Sequence, residues 1–222
     1  MTRLYKYGVA GQNYQDLESA KGDTYTCLDG SFPPTNLACN ENPYVEELNN
    51  AKFILDLGCG VGRNLPWIME NTNATYVGLD PNTNMTEYFW GVQEQQGYNV
   101  EEWKQRAIVC NDFSEIPEDI KFDYVVTTFV LQHLGYRYIN PGVLNITGIT
   151  KEIFTKLNKG AVWFLLEHDS EENWIPTWKR ECEIEFDVYI RSYKGLPELN
   201  ERDHTAPNGG HHLMIFKYEN NL

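Results

Sequence analysis

Residues 54–64 read Ile-Leu-Asp-Leu-Gly-Cys-Gly-Val-Gly-Arg-Asn. An apolar run ends at Asp56, and alternate glycines at 58, 60 and 62 then carry the chain toward a helical segment. Glycine permits the positive φ of a tight turn and lets a ligand approach the backbone. The first amides of the following helix attract negative charge. The dinucleotide fingerprint would put its third glycine at position 63, which here is Arg63, and this counts against a nicotinamide dehydrogenase. Two further acids follow at comparable places. Asp80, in Gly78-Leu79-Asp80-Pro81-Asn82, can accept both hydroxyls of a ribose. Asp112, in Cys110-Asn111-Asp112-Phe113, can accept from an adenine amino group while Phe113 packs on the ring. All three acids fall at the carboxyl ends of expected strands, where open α/β sheets bind ligands.

The elements that must position them are legible as alternating texture. Apolar runs at Phe53–Leu57, Tyr76–Leu79, Ala107–Cys110, Tyr124–Val126 and Val162–Leu166 are separated by segments of helical spacing around 63–72, 84–96 and 146–158. Continuous apolar strands with helical crossovers predict a parallel sheet covered on both faces. Phe186–Ile190 and Leu213–Phe216 predict two further strands with no helix between them, hence an antiparallel pair at one edge. The first fifty residues differ: they are polar, rich in tyrosine, and broken by Asp29-Gly30 and Pro33-Pro34, with a short helix expected after Pro43. The reading is a doubly wound α/β domain over 51–222, preceded by a lid or accessory segment at 1–50.

Composition narrows the partners. The chain of 222 residues has 18 basic and 32 acidic side chains, a net charge of −14. So acidic a surface repels phosphate backbones and argues against nucleic acid as the main partner. The longest apolar run, Ala161–Leu166, is far short of the roughly 20 residues of a membrane span. The N-terminus lacks the apolar core of a secretory signal. Cys27, Cys39, Cys59, Cys110 and Cys182 are odd in number and scattered. This suits a reducing, cytoplasmic compartment with thiols as small core residues.

On these motifs the sequence resembles the class I S-adenosylmethionine-dependent methyltransferases over residues 52–168. Asp56-Leu57-Gly58-Cys59-Gly60-Val61-Gly62 resembles the first motif, Asp80 the ribose-binding acid and Asp112-Phe113 the adenine-binding pair. Phe122-Asp123-Tyr124-Val125-Val126, then Phe129-Val130-Leu131-Gln132-His133-Leu134, resembles the fourth strand and its loop, and Leu165-Leu166-Glu167 the fifth strand. The resemblance implies a Rossmann-like, mostly parallel seven-stranded sheet of order 3-2-1-4-5-7-6, strand 7 antiparallel. It implies S-adenosylmethionine as cofactor, held by Asp56, Gly58, Cys59, Gly60, Gly62, Asn64, Asp80, Pro81, Asn82, Asp112, Phe113 and Phe129. It further implies in-line methyl transfer to an acceptor, catalysed largely by alignment.

Past the fourth strand, His133 is the candidate base for a hydroxyl or amine acceptor; packing alone is the competing role. Glu167, His168 and Asp169 are expected to cluster after the fifth strand, but no ligand spacing among them and His204, His211 and His212 specifies a metal. The lack of any long substrate domain favours a small-molecule acceptor. A protein or nucleic-acid acceptor, or a cofactor-binding protein without chemistry, remain the alternatives. The acceptor atom and oligomeric state are not encoded in any motif.

Overall fold

A computed structural model describes residues 17–130, 145–168, 186–194 and 210–218; the side chains of 18, 19, 145–149, 167, 168, 186–194, 210–212, 214 and 216 lie outside that description. Helices α1 (Leu17–Leu28) and α2 (Val45–Asn50) precede strand β1 (Phe53–Leu57). Then come α3 (Leu65–Asn71), β2 (Thr75–Leu79), α4 (Thr83–Gln95), α5 (Val100–Trp103) and β3 (Ala107–Cys110). A single 3₁₀ turn at Phe113–Glu115 leads to β4 (Phe122–Thr128). The chain continues with α6 (Asn145–Thr155), β5 (Leu157–His168), β6 (Phe186–Lys194) and β7 (Gly210–Tyr218).

The strands form one sheet in the order β3-β2-β1-β4-β5-β7-β6. The pairs among β1 to β5 are parallel, and β7 runs antiparallel to both β5 and β6. Both faces are sealed, which is why the strands read as unbroken apolar runs. Leu55, Leu57, Val77, Leu79, Val125, Trp163 and Leu165 face one layer, closed by Ile116, Ile120 and Ile153. Ile54, Tyr76, Tyr124, Val126, Val162 and Phe164 face the other, closed by Leu37, Leu48, Leu65, Ile68 and Phe89. Polar groups inside these layers are bonded, as burial requires. The Trp163 indole N–H donates to Thr127 Oγ1 at 2.8 Å, and Asn42 Nδ2 donates to the Tyr124 hydroxyl at 2.9 Å and the Leu37 carbonyl at 2.6 Å. The second of these fastens the segment before α2 to the sheet.

Two details differ from the sequence reading. Helix α1 lies where turns and polar residues predicted none. It packs on α4 through Ala20, Cys27, Met85, Val92 and Tyr88, with Val61 of the glycine loop in the same cluster. Strand β5 also runs further than its apolar core. Glu167 and His168 are therefore inside the strand, opposite His212 and His211 of β7, rather than in a cluster after it. Asp169 and His204 lie outside the described residues. No helix among the described residues is long and apolar enough to cross a membrane.

Candidate active site

The chain passes from β1 through β2 to β3 on one side and returns to β4 on the other. The strand order therefore reverses between β1 and β4, which opens a crevice at their carboxyl ends. The loop after β1 fills that switch point. Gly58, Gly60 and Gly62 all have positive φ (72°, 54° and 88°). At two of them a side chain is also excluded by space. A Cβ on Gly58 would lie 2.4 Å from Val130 Cγ2, and one on Gly62 2.7 Å from Phe89 Cε2. Gly60 is open, its nearest neighbour being Asp23 Oδ2 at 3.7 Å. The loop is held from below by Gln93 of α4, whose Nε2 donates to the carbonyls of Val61 (3.1 Å) and Gly62 (3.3 Å). From the β2 side, the Gly58 N–H donates to the Leu79 carbonyl at 2.7 Å.

Asp56, at the end of β1, is 1% exposed. Its Oδ2 accepts from the Tyr76 hydroxyl at 2.9 Å and its Oδ1 from Asn64 Nδ2 at 3.3 Å. Burial pushes its carboxyl up to about 6, against the opposing pull of those two donors and of Arg63. It forms the floor of the loop rather than an open wall. Asn64 sits at the start of α3 without capping it, because its amide is engaged elsewhere. Besides Asp56, Nδ2 donates to Thr128 Oγ1 at 3.1 Å, and Oδ1 accepts from the Thr35 N–H at 3.2 Å. One buried amide thus ties together β1, β4 and the segment preceding α2.

Asp80 follows β2. Its Oδ2 accepts from the Gly60 N–H at 3.0 Å and its Oδ1 from the Asn82 N–H at 2.9 Å. Burial raises it to about 7, with Asp23 and Asp56 adding to the rise while the two amides oppose it. Asn82 also caps α4, its Oδ1 accepting from the Asn84 N–H at 3.0 Å, and Pro81 stands between these two residues. Asp112 follows β3 and caps the 3₁₀ turn, its Oδ1 accepting from Ser114 N–H (2.9 Å) and Oγ (2.6 Å). Phe113 packs partly buried against the core. Asn111 Nδ2, donating to the Asp80 carbonyl at 2.7 Å and Thr86 Oγ1 at 2.9 Å, links the ends of β2 and β3. The Cys59 thiol is buried and pushed well above its ordinary value by that burial and by the nearby acids.

Phe129 follows β4 with φ at 59°, the one positive value among the described non-glycine residues. Such backbone strain concentrates at functional sites. Its N–H is fixed by the Leu166 carbonyl at 2.8 Å, and its ring lies 5.7 Å from that of Phe32. His133 lies outside the described residues. Asp123 belongs elsewhere: at the opposite end of β4 it accepts from the Lys52 and Phe53 amides and from Asn158, a structural clasp.

Several residues at this crevice carry no sequence signature. Arg63 marks only an absent glycine in the sequence. In the fold its guanidinium lies 4.1 Å over the Phe32 ring, and Nη2 donates to Thr128 Oγ1 at 2.6 Å. Asp23 of α1 approaches Gly60 and is raised to about 6 by burial, with Arg63 opposing. Tyr76 reads as a strand apolar residue, yet its hydroxyl is bonded to Asp56. Buried polar side-chain atoms without a partner are confined, among the described residues, to Thr24 Oγ1, Thr35 Oγ1, Arg63 Nη1 and Gln93 Oε1. Arg63 belongs to the glycine loop, Gln93 donates to that loop through Nε2, and the Thr35 N–H donates to Asn64.

Residues 55–158 match the family model described as a methyltransferase domain. The chain carries a class I methyltransferase fold. Across 203 residues it is 25% identical to the sterol 24-C-methyltransferase erg6 of Schizosaccharomyces pombe, covering 89% of this chain and 47% of that protein. The chain thus spans under half the length of this curated relative. Among solved structures, it superposes on the O-methyltransferase from Bacillus cereus in complex with S-adenosylhomocysteine with a TM-score of 0.53 at 13% identity, covering 90% of each chain. A methyltransferase from Pyrococcus furiosus gives 0.52 at 14% identity, covering 89% of this chain and 82% of that one. The segment that matches the family model brings Asp56, the glycine loop, Asn64, Asp80 and Asn82 together in one bonded cluster. Asp112 and Phe113 stand at the next strand end.

Proposed function

We propose that this methyltransferase domain binds S-adenosylmethionine across the carboxyl ends of β1 to β4 and transfers its methyl group to a small-molecule acceptor. The observation that carries the reading is the bonded cluster at the switch point between β1 and β4, where the glycine loop, Asp56, Asn64 and Asp80 meet and the buried Arg63 Nη1 is without a partner. Such an atom costs about 1–3 kcal/mol when left unpaired, and a polar ligand can supply its acceptor. The donor set suits that cofactor. Asp80 offers carboxylate oxygens to the ribose hydroxyls, Asp112 accepts from the adenine amino group with Phe113 against the ring, and Gly58, Cys59, Gly60 and Gly62 bring backbone close to the ligand. Asp56 and Asn64 support that loop from beneath, Pro81 and Asn82 fix the Asp80 turn, and Phe129 walls the side facing the acceptor. When bound, the cofactor supplies an activated methyl group on a sulfonium. The protein supplies alignment and exclusion of water. His133 is the proposed base for acceptors that must lose a proton. Residues 1–50 serve as a cover over the domain formed by 51–222, a role supported by the packing of α1 on α4 and of Phe32 near Phe129.

A net charge of −14 favours small acceptors over nucleic acid. The relative's name, a sterol 24-C-methyltransferase, makes a lipid carbon one acceptor class to screen. Calorimetric titration with S-adenosylmethionine, S-adenosylhomocysteine and NAD tests the reading. Micromolar binding of the first two without NAD is expected, followed by transfer of a labelled methyl group in an acceptor screen. Binding of NAD alone overturns it.

A further inference from the structure

We infer that Arg63 is the anchor for the carboxylate of the cofactor's methionine portion, a role that rests on the cofactor reading above. Arg63 is the loop's only cation. Its Nη2 is engaged by Thr128 at 2.6 Å, its planar face is covered by Phe32 at 4.1 Å, and Nη1 is buried without any partner. A buried guanidinium nitrogen without an acceptor is costly, and a carboxylate is the group whose geometry suits it. The charges around it identify the kind of anion. Asp56 and Asp23 act electrostatically on Arg63, so a dianion such as phosphate would meet two carboxylates as well as the guanidinium. An α-amino acid presents a carboxylate to Arg63 and, one carbon away, an ammonium whose charge the field of those same acids favours. A zwitterion therefore fits where a phosphate is repelled. The Phe32 ring over the guanidinium is 36% exposed and lies 5.7 Å from the Phe129 ring.

The test compares S-adenosylmethionine with its decarboxylated analogue, which keeps the sulfonium, amine and adenosine but lacks the carboxylate. Calorimetry on the wild-type chain is expected to show roughly 10- to 100-fold tighter binding of the carboxylated form, the range of one charge-assisted hydrogen-bonded contact. In Arg63→Met that preference collapses to about onefold, while the decarboxylated ligand binds as it does to wild type, which also shows that the variant is folded. Arg63→Lys keeps the charge without the planar fork and is expected to fall between. No preference in the wild type overturns the inference whatever the variants do, and so does a full preference retained in both variants. If the wild type binds neither ligand, the cofactor reading itself fails, and the two failures are thereby distinguished.

Discussion

Asp80→Asn asks whether the end of β2 holds a carboxyl that the fold keeps protonated well above its ordinary range. Burial raises Asp80 from 3.8 to about 7, in spite of the Gly60 and Asn82 amides that favour its ionised form. Unfolded, the same carboxyl ionises near its ordinary value of about 3.9. A folded value above the unfolded one means that the native state holds the proton longer. Its stabilising contribution is therefore fully present below about pH 4 and is lost as pH rises through about 7. Held near 7 rather than 3.8, the carboxyl accounts for up to about 4 kcal/mol across that window. Asp80 is only partly shielded from water, and screening reduces this to about 2 kcal/mol.

Asparagine removes the charge but accepts through one oxygen instead of two. Either the Gly60 or the Asn82 amide then loses its acceptor, at about 1–3 kcal/mol. Near pH 4 only that loss operates, and the variant is the less stable protein. Near pH 8 the relief of the strained carboxylate offsets it. Urea unfolding of both proteins at pH 4, 6 and 8 should show the difference between them moving by about 2 kcal/mol in favour of asparagine as pH rises. A difference that stays constant with pH would refute the reasoning. The same substitution takes a carboxylate from the proposed ribose contact, so S-adenosylhomocysteine affinity should fall about tenfold or more at pH 8 even as relative stability improves. A variant destabilised at every pH and unchanged in affinity would mean that Asp80 is a turn acid and nothing more.

Gly62→Ala combines a φ of 88° with a Cβ 2.7 Å from the Phe89 ring, so denaturant unfolding should show a loss of about 2–4 kcal/mol. Gly60→Ala, with a φ of 54° but open space, should lose only about 1–2 kcal/mol; equal losses would mean that the Phe89 contact is not what excludes a side chain at position 62. Tyr76→Phe deletes the hydroxyl that donates to Asp56 and should cost about 1–3 kcal/mol. Since Asp56 already sits near 6 and loses a donor that favours its ionised form, that cost should be larger at pH 8 than at pH 5.

What the sequence carried and what it did not divide along physical lines. The parallel strands were legible because burial on both faces writes itself as a continuous run, as in Phe53–Leu57. β4 extends beyond the Tyr124–Val126 run to Thr128 because Thr127 is accommodated inside by the Trp163 indole, a contact between residues far apart in the chain. Helix α1 was not legible. Its sequence, LESAKGDTYTCL, has a central glycine and no clear apolar stripe, and it is held by α4 and Val61 rather than by its own propensity. The site shows the same division. Glycines and strand-end acids announce themselves by type and position. Arg63, Asp23 and Tyr76 do not, because their roles depend on which side chains the fold brings beside them.

Those roles converge on the electrostatics of one crevice. Asp23 and Asp56 are raised to about 6 and Asp80 to about 7, each chiefly by burial, and Asp23 and Asp56 both add to the rise at Asp80. Arg63 is the cation that opposes this at Asp23 and Asp56, and it is itself lowered by burial. A folded protein that needed only stability would have fewer carboxyls here, since each one held above its ordinary value costs stability near neutral pH. Their retention makes sense if a ligand restores the balance. One carrying an ammonium, a sulfonium and ribose hydroxyls would stabilise the ionised acids, and one carboxylate on the same ligand would satisfy Arg63. On the proposed reading, the same charges would favour a zwitterionic, cationic nucleoside over a phosphate-bearing dinucleotide, with the missing third glycine at Arg63 as the sequence mark of that choice.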